Sequence, residues 1–186
     1  MKTENKTLLL DTLEATVERH LQNALHDFQN LPDRVLLRPA ANGGWSIAQC
    51  LEHLNRYGKY YLPHIQHGLA AHAGASTDTF RSSWLGSYFT KMMQPGKGKM
   101  KTFKAYTPPP SLHAHAVVAE FVQQQETLLS CLRQAHDANL NTIRIPVSIA
   151  KFIRLKLGDV FQFVIMHNER HLLQANKNLD VSLKEN

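Results

Sequence analysis

His167 and His171 stand four residues apart in a segment whose apolar residues recur at helical spacing. Residues at that interval lie roughly 40° apart on adjacent turns of a helix, so their imidazoles can be aimed at one point. Two chemistries suit such a pair. The rings can clamp a metal ion, or they can be satisfied by hydrogen bonds to helix carbonyls or a buried carboxylate, and spacing alone leaves the choice open. Glu169, two positions after His167, projects about 200° around the helix and cannot act as the base of a His-Glu-x-x-His protease. With Arg170 it reads as part of a polar outer face.

A metal needs a third ligand, and His53 is the best candidate. It lies on the edge of an apolar stripe, with Gln49, Cys50, Tyr57 and Tyr60 along the same face. At 1.5 Å per residue it sits about 10 Å from the start of its helix at Ser46, while His171 and His167 lie about 9 and 15 Å before the end of theirs near Lys177. Those depths match when the second and fourth helices run antiparallel, as a long crossover between the second and third helices would make them. Three neutral imidazoles leave a divalent ion with open positions, where it lowers the pKa of a bound water or thiol.

Around this triad the other residues have plainer readings. His20, His26, His64, His67, His72, His113, His115 and His136 fall at helix ends or scattered positions, where a solvated or capping imidazole is the default. His64 shares the azimuth of His53 but lies about 16 Å further along the axis. Tyr57 and Tyr60 read as packing residues or substrate-orienting groups, and Cys50 as a core residue or a fourth ligand. Gln49 and Gln174 are candidates to fix histidine orientation, and Trp45 to anchor the start of its helix.

Four amphipathic helices must position these groups. Leu9, Leu10, Leu13, Val17, Leu21, Leu25 and Phe28 stripe a first helix over about 7–30, ended by Pro32. Ser46 and Gln49 form a capping box for a second, running to about Ala71. The stretch 74–110 is an irregular connector rich in Gly and Pro, with a short helix over Trp84 to Met93. Ser111 caps a third helix that ends between His136 and Asn139. The fourth carries Leu157, Val160, Phe161, Val164, His167, His171 and Gln174 on one side and fades at 176–178. Before it, Val147 to Leu155 is either a helical turn or an extended piece. The whole reads as a single domain over 1–186, with a core at about 7–178 and an all-α, four-helix-bundle fold.

Composition narrows the function classes. Of 186 residues, 43% are hydrophobic and 19% charged, which is the balance of a globular chain and not of a disordered one. No apolar run approaches the roughly 20 residues that span a bilayer, and the amino-terminal residues lack a secretory core, so no membrane association and a cytoplasmic location are expected. The two cysteines are expected as reduced thiols. The net charge of +6 is concentrated in Lys91 to Lys104 and not on a helix face, which argues against nucleic-acid binding. Lys97, Lys99, Lys101 and Lys104 would meet an acidic substrate only if that connector folds over the site.

The segment Gly44-Trp45-Ser46-Ile47-Ala48-Gln49-Cys50-Leu51-Glu52-His53-Leu54 resembles the second-helix signature of the DinB-like superfamily. So does Leu157-Gly158-Asp159 followed by His167-x-x-x-His171-Leu172-x-Gln174. The resemblance implies an up-down-down-up bundle in which His53, His167 and His171 coordinate one divalent ion (zinc, nickel, iron or manganese), often in a homodimer. It also implies, as in the bacillithiol and mycothiol enzymes of that superfamily, a transferase in which the metal activates a low-molecular-weight thiol toward a small electrophile. A metal-dependent hydrolase and a metal-binding protein without turnover are the alternatives.

Overall fold

The computed structural model describes residues 3–72, 74–96 and 102–184. Chain order runs β1 (Thr3–Asn5), α1 (Lys6–Asn23), α2 (Asp33–Leu36), α3 (Ile47–Ala70), β2 (Thr79–Arg81), α4 (Trp84–Met93), α5 (Ala114–Ala135), β3 (Arg144–Val147), β4 (Ala150–Lys156) and α6 (Leu157–Lys184). A single π-helical turn, Ala24–Phe28, follows α1, and a 3-10 turn, Lys104–Tyr106, lies between α4 and α5.

The four long helices form the bundle, and each is explained by its sequence. Asn5 accepts from the Leu8 amide and opens α1, whose buried face is Leu9, Leu10, Leu13, Val17 and His20. Ser46 accepts from the Gln49 amide while the Gln49 side chain accepts from the Ser46 amide, the reciprocal box that starts α3. Packing joins α3 to α5 and α6, and α1 to the same two. Ring contacts fix one direction: Tyr61 meets Phe163 while His53 meets His171, so α3 and α6 run oppositely. Lys59 with Glu120 and Asn55 with the Val117 carbonyl set α3 and α5 side by side in the same direction.

Two apolar clusters fill the bundle. One gathers Leu10, Val17, Tyr61, Leu128, Leu132, Val160 and Phe161. The other gathers Phe28, Ile47, Leu51, Val118, Phe121 and Leu172. Between them lies a layer of buried polar groups. Asn168 donates to Gln125 across the centre of the bundle at 3.2 Å, Asn55 donates to the Val117 carbonyl at 2.9 Å, and His20 meets Glu169 at 2.6 Å. The histidines of interest occupy the α3–α6 side of this layer.

Several boundaries differ from the sequence reading. The first helix does not continue unbroken to residue 30. It widens into the π turn, which brings Phe28 into the second cluster. Ser111 is not the cap of α5; His113 holds that position without a side-chain bond, and the start is set by burial of Ala114 and Val117. The residues before α6 are extended, forming a hairpin in which Ile145, Val147 and Leu155 are buried. That hairpin packs on α3 at Gly68, where a Cβ would come within 2.9 Å of Ile143 and 3.0 Å of Ile145. The fourth helix also runs on past Asn178, because Asn176 pairs with Asn23 and Asn178 donates to the Arg38 carbonyl. Tertiary hydrogen bonds there override weak helix propensity.

The connector is fastened just before α4 and at its first turn. β1 pairs antiparallel with β2, Glu4 opposite Phe80. The fully buried carboxylate of Asp159, in the first turn of α6, accepts from the Ser82 and Ser83 hydroxyls at 2.5 and 2.6 Å and from the Ser83 amide. Gly86 makes that clasp feasible, since a Cβ there would lie 2.0 Å from the Asp159 carboxyl carbon. Thus α4 is pinned against α6.

Candidate functional site

His53 reaches the α3–α6 interface from the second turn of α3, and His167 and His171 reach it from successive turns of α6. One ring nitrogen from each lies within 4.8 Å of the other two. The ring centroids are 4.6–5.0 Å apart. His53 and His167 are buried and His171 half-buried.

Hydrogen bonding outside the cluster fixes which nitrogen faces inward. Nδ1 of His53 lies 2.8 Å from the Tyr106 carbonyl, which can only accept, so Nδ1 carries the proton and Nε2 the lone pair. Nδ1 of His171 donates to Gln174 Oε1 at 3.2 Å, which leaves its Nε2 with a lone pair as well. The two tautomers thus present bare nitrogens toward His167, whose Nε2 is 3.1 Å from that of His53.

Burial keeps all three rings neutral. Loss of hydration lowers the His53 pKa to about 4, against the Tyr106 bond that raises it. The same cause, joined by repulsion from His53, takes His171 to about 3. His167 is held well below the ordinary value by its burial, with His171, His53 and Arg170 adding repulsion. Neutral imidazoles with inward lone pairs are the protonation state a metal requires.

Aromatic rings enclose the cluster. The Trp45 ring stands 4.9 Å from His53 and 5.7 Å from His171. Tyr57 lies 5.1 Å from His53 and 4.5 Å from His167, and Phe163 stacks on His167 at 6.0 Å. The Tyr57 phenol is pushed above its ordinary pKa by burial, so it holds its proton at neutral pH. A cavity of about 330 Å³ opens from the histidines along α6, roofed by α4, Thr102, Phe103 and the hairpin.

A family model described as the DinB superfamily matches residues 16–175. The chain belongs to the DinB superfamily. No curated protein is significantly similar to it in sequence. Among solved structures it is similar to YfiT from Bacillus subtilis, described as a probable metal-dependent hydrolase with an unusual four-helix bundle topology. The likeness has a TM-score of 0.54 at 16% identity and covers 96% of this chain and 87% of that one, and it speaks for the fold.

In this DinB-superfamily chain the other residues singled out in the sequence divide cleanly. Gln174 bonds to His171, whereas Gln49 is spent on the capping box. Tyr57 belongs to the site, but Tyr60 stacks on His64 at 4.5 Å, and His64 is occupied by the Tyr60 carbonyl. Cys50 lies in the second apolar cluster, where burial pushes its thiol up to about 12, and does not join the histidine cluster. Lys104 is exposed on the 3-10 turn, and Lys97, Lys99 and Lys101 lie outside the described residues. His20 departs from its default, being 1% exposed and paired with Glu169, which itself takes Arg19 at 3.0 Å. Glu169 is therefore no part of a free polar face. The Tyr106 carbonyl could not be read from sequence, because a backbone acceptor carries no residue signature; Phe163 was marked only by its place one turn before His167.

No helix among the described residues is long and apolar enough to cross a membrane.

Proposed function

We propose that this DinB-superfamily chain is a metal-dependent enzyme in which His53, His167 and His171 hold one divalent ion, and that its nucleophile is a small thiol. The observation that carries this reading is the donor set itself. Three neutral imidazoles converge with one ring nitrogen each within 4.8 Å of the other two, two of them have Nδ1 engaged outward, and the inward lone pair of His53 lies 3.1 Å from His167 Nε2. A single cation placed between the three rings would take a lone pair from each. Zinc, nickel, iron and manganese all accept imidazole nitrogen.

A divalent ion there would supply Lewis acidity, lowering the pKa of a thiol or water that reaches it. The chain's own residues do the rest. Tyr106 and Gln174 lock the orientation of His53 and His171, an outer shell that fixes tautomer and aim. Trp45 and Phe163 shield the cluster from bulk water. Among the described residues no carboxylate lines the cavity, and Glu169 is committed to His20 and Arg19 on another face. A thiol, already partly ionised near neutral pH, would release its proton to solvent on meeting the ion more readily than water does, so a lining without a general base favours thiol transfer to a small electrophile.

The likeness to YfiT supports a second reading, hydrolysis with water as the nucleophile. The metal reading is framed by an up-down-down-up bundle, supported by the opposed α3 and α6 and the parallel α3 and α5, with residues 71–113 as the crossover. We take the chain as one domain acting in the cytoplasm, where buried thiols such as Cys50 and Cys131 stay reduced, and as a candidate homodimer. Elemental analysis of protein purified without chelator, followed by turnover of an electrophile with and without added thiol, tests the proposal. One equivalent of metal and thiol-dependent turnover are expected. Thiol-independent product release selects the hydrolase, and full metal content in His167→Ala removes the triad altogether.

A further inference from the structure

We infer that the cavity binds an amphiphilic small molecule, with an anionic head at the histidines and an apolar body lying along α6 toward Tyr61. The inference rests on the metal reading above and adds the substrate class. The cavity of about 330 Å³ is at the small end of the range for ligand sites, enough for one compact molecule. Its axis is set by the helices: His167 and Phe163 are one turn apart on α6, and His53, Tyr57 and Tyr61 occupy successive turns of α3, so the far end lies about 12 Å beyond His53.

Most of the side chains along that axis are apolar. Phe163 is met by Phe89 at 6.1 Å and Tyr61 at 5.7 Å. Met92 and Met93 of α4 and Val147 and Leu155 of the hairpin close the sides. At the far end the Tyr61 hydroxyl accepts from the Ser148 amide at 3.2 Å and lies 3.4 Å from the Ser148 hydroxyl, so that end asks for no polar tail. A charged tail would lose its hydration there without a partner.

The head is specified by charge. The described lining residues include no carboxylate, and imidazole ligands, which bind through a ring lone pair, bring no negative charge to offset a divalent ion. A negative head, such as a thiolate, carboxylate or hydroxamate, neutralises that excess, while a cationic head adds to it. Methionine on the roof suits an apolar partner of variable shape, because its unbranched thioether repacks.

The probes are n-alkyl hydroxamates from acetyl to octanoyl, titrated by calorimetry into zinc-loaded protein whose zinc content is measured beforehand, with n-alkylammonium ions of equal length as the cationic control. Affinity should rise about fourfold per methylene over the first few carbons and level off once the cavity is filled. The alkylammonium series should bind at least a hundredfold more weakly. Met92→Glu should flatten the chain-length dependence while zinc content and acetohydroxamate affinity stay unchanged; Ile149→Glu, on the exposed hairpin side of the same cavity, reads the same effect if the first variant does not fold. One equivalent of zinc with equal affinity for acetyl and octanoyl probes overturns this inference and leaves the metal reading standing. Alkylammonium binding on a par with hydroxamate overturns the head assignment. Failure of the histidines to retain zinc overturns both.

Discussion

Among the described residues two clusters bring three potential metal ligands within 4.8 Å of one another: His53, His167 and His171 between α3 and α6, and Asp11, Glu14 and His136 between α1 and the end of α5. Distance does not separate them. In the first, burial strips hydration from the rings, and the outer nitrogens of His53 and His171 are engaged by Tyr106 and Gln174. In the second, Asp11 is exposed and the ligands already have partners: His136 meets Glu14 at 2.9 Å, and Arg133 lies 3.7 Å from Glu14 and 3.6 Å from Glu18. A guanidinium beside the carboxylates takes the place a cation would fill. Preorganised lone pairs without a charge partner make a ligand set; paired charges in water make an ion-pair network.

Removing one ligand from each cluster should give the largest contrast. His167→Ala is expected to weaken zinc binding by about three orders of magnitude or more, beyond the ~10–100-fold typical of an outer-shell loss, with helical circular dichroism retained. Glu14→Ala should leave the zinc stoichiometry untouched. Equal loss of zinc in both variants would erase the distinction.

Acidification separates the clusters next. In the unfolded chain the three imidazoles take up protons below about pH 6.5, whereas in the folded metal-free protein His53 resists until about 4 and His171 until about 3. Across that window the unfolded state binds more protons, so stability of the metal-free protein falls as pH drops from 6.5. For His53 alone the loss is roughly 3 kcal/mol by pH 4. Urea melts of metal-free protein at pH 7.5 and 5 measure it, and a midpoint unchanged between them would contradict the buried neutral state.

A smaller effect belongs to the outer shell. Gln174→Ala should cost about tenfold in zinc affinity, read by competition with a chromophoric chelator, because His171 loses the acceptor that holds its ring. The smallest falls on the second cluster: His136→Ala should shift stability by no more than about 1 kcal/mol, and added salt should shrink even that. A larger, salt-insensitive change would raise the second cluster to a structural role.

Much of the first cluster was legible because helical periodicity and capping are local. The Ser46–Gln49 box located α3 to within a residue, and the four-residue spacing of His167 and His171 on an apolar stripe placed both rings inward. What escaped was whatever depended on a distant partner. His20 is buried because Glu169 reaches it from α6, and nothing near residue 20 announces that. The hairpin before α6 could not be told from a helical turn, since its strands are stabilised by each other and by Gly68 of α3. The far end of α6 was set too short for the same reason, Asn176 and Asn178 being poor helix formers held by bonds to Asn23 and Arg38. The cavity was the least legible feature, because its roof comes from a connector with little periodicity of its own.

The bond from His53 to the Tyr106 carbonyl ties the roof of the cavity to the histidines beneath it. Whatever withdraws electrons from Nε2 makes the Nδ1 proton more acidic and tightens its hold on that carbonyl. The two bonds made at opposite ends of the His53 ring are therefore linked quantities, and linkage is reciprocal: a change that strengthens one strengthens the other. A single imidazole thus works as a two-ended lever between its inward nitrogen and the backbone of the 3-10 turn.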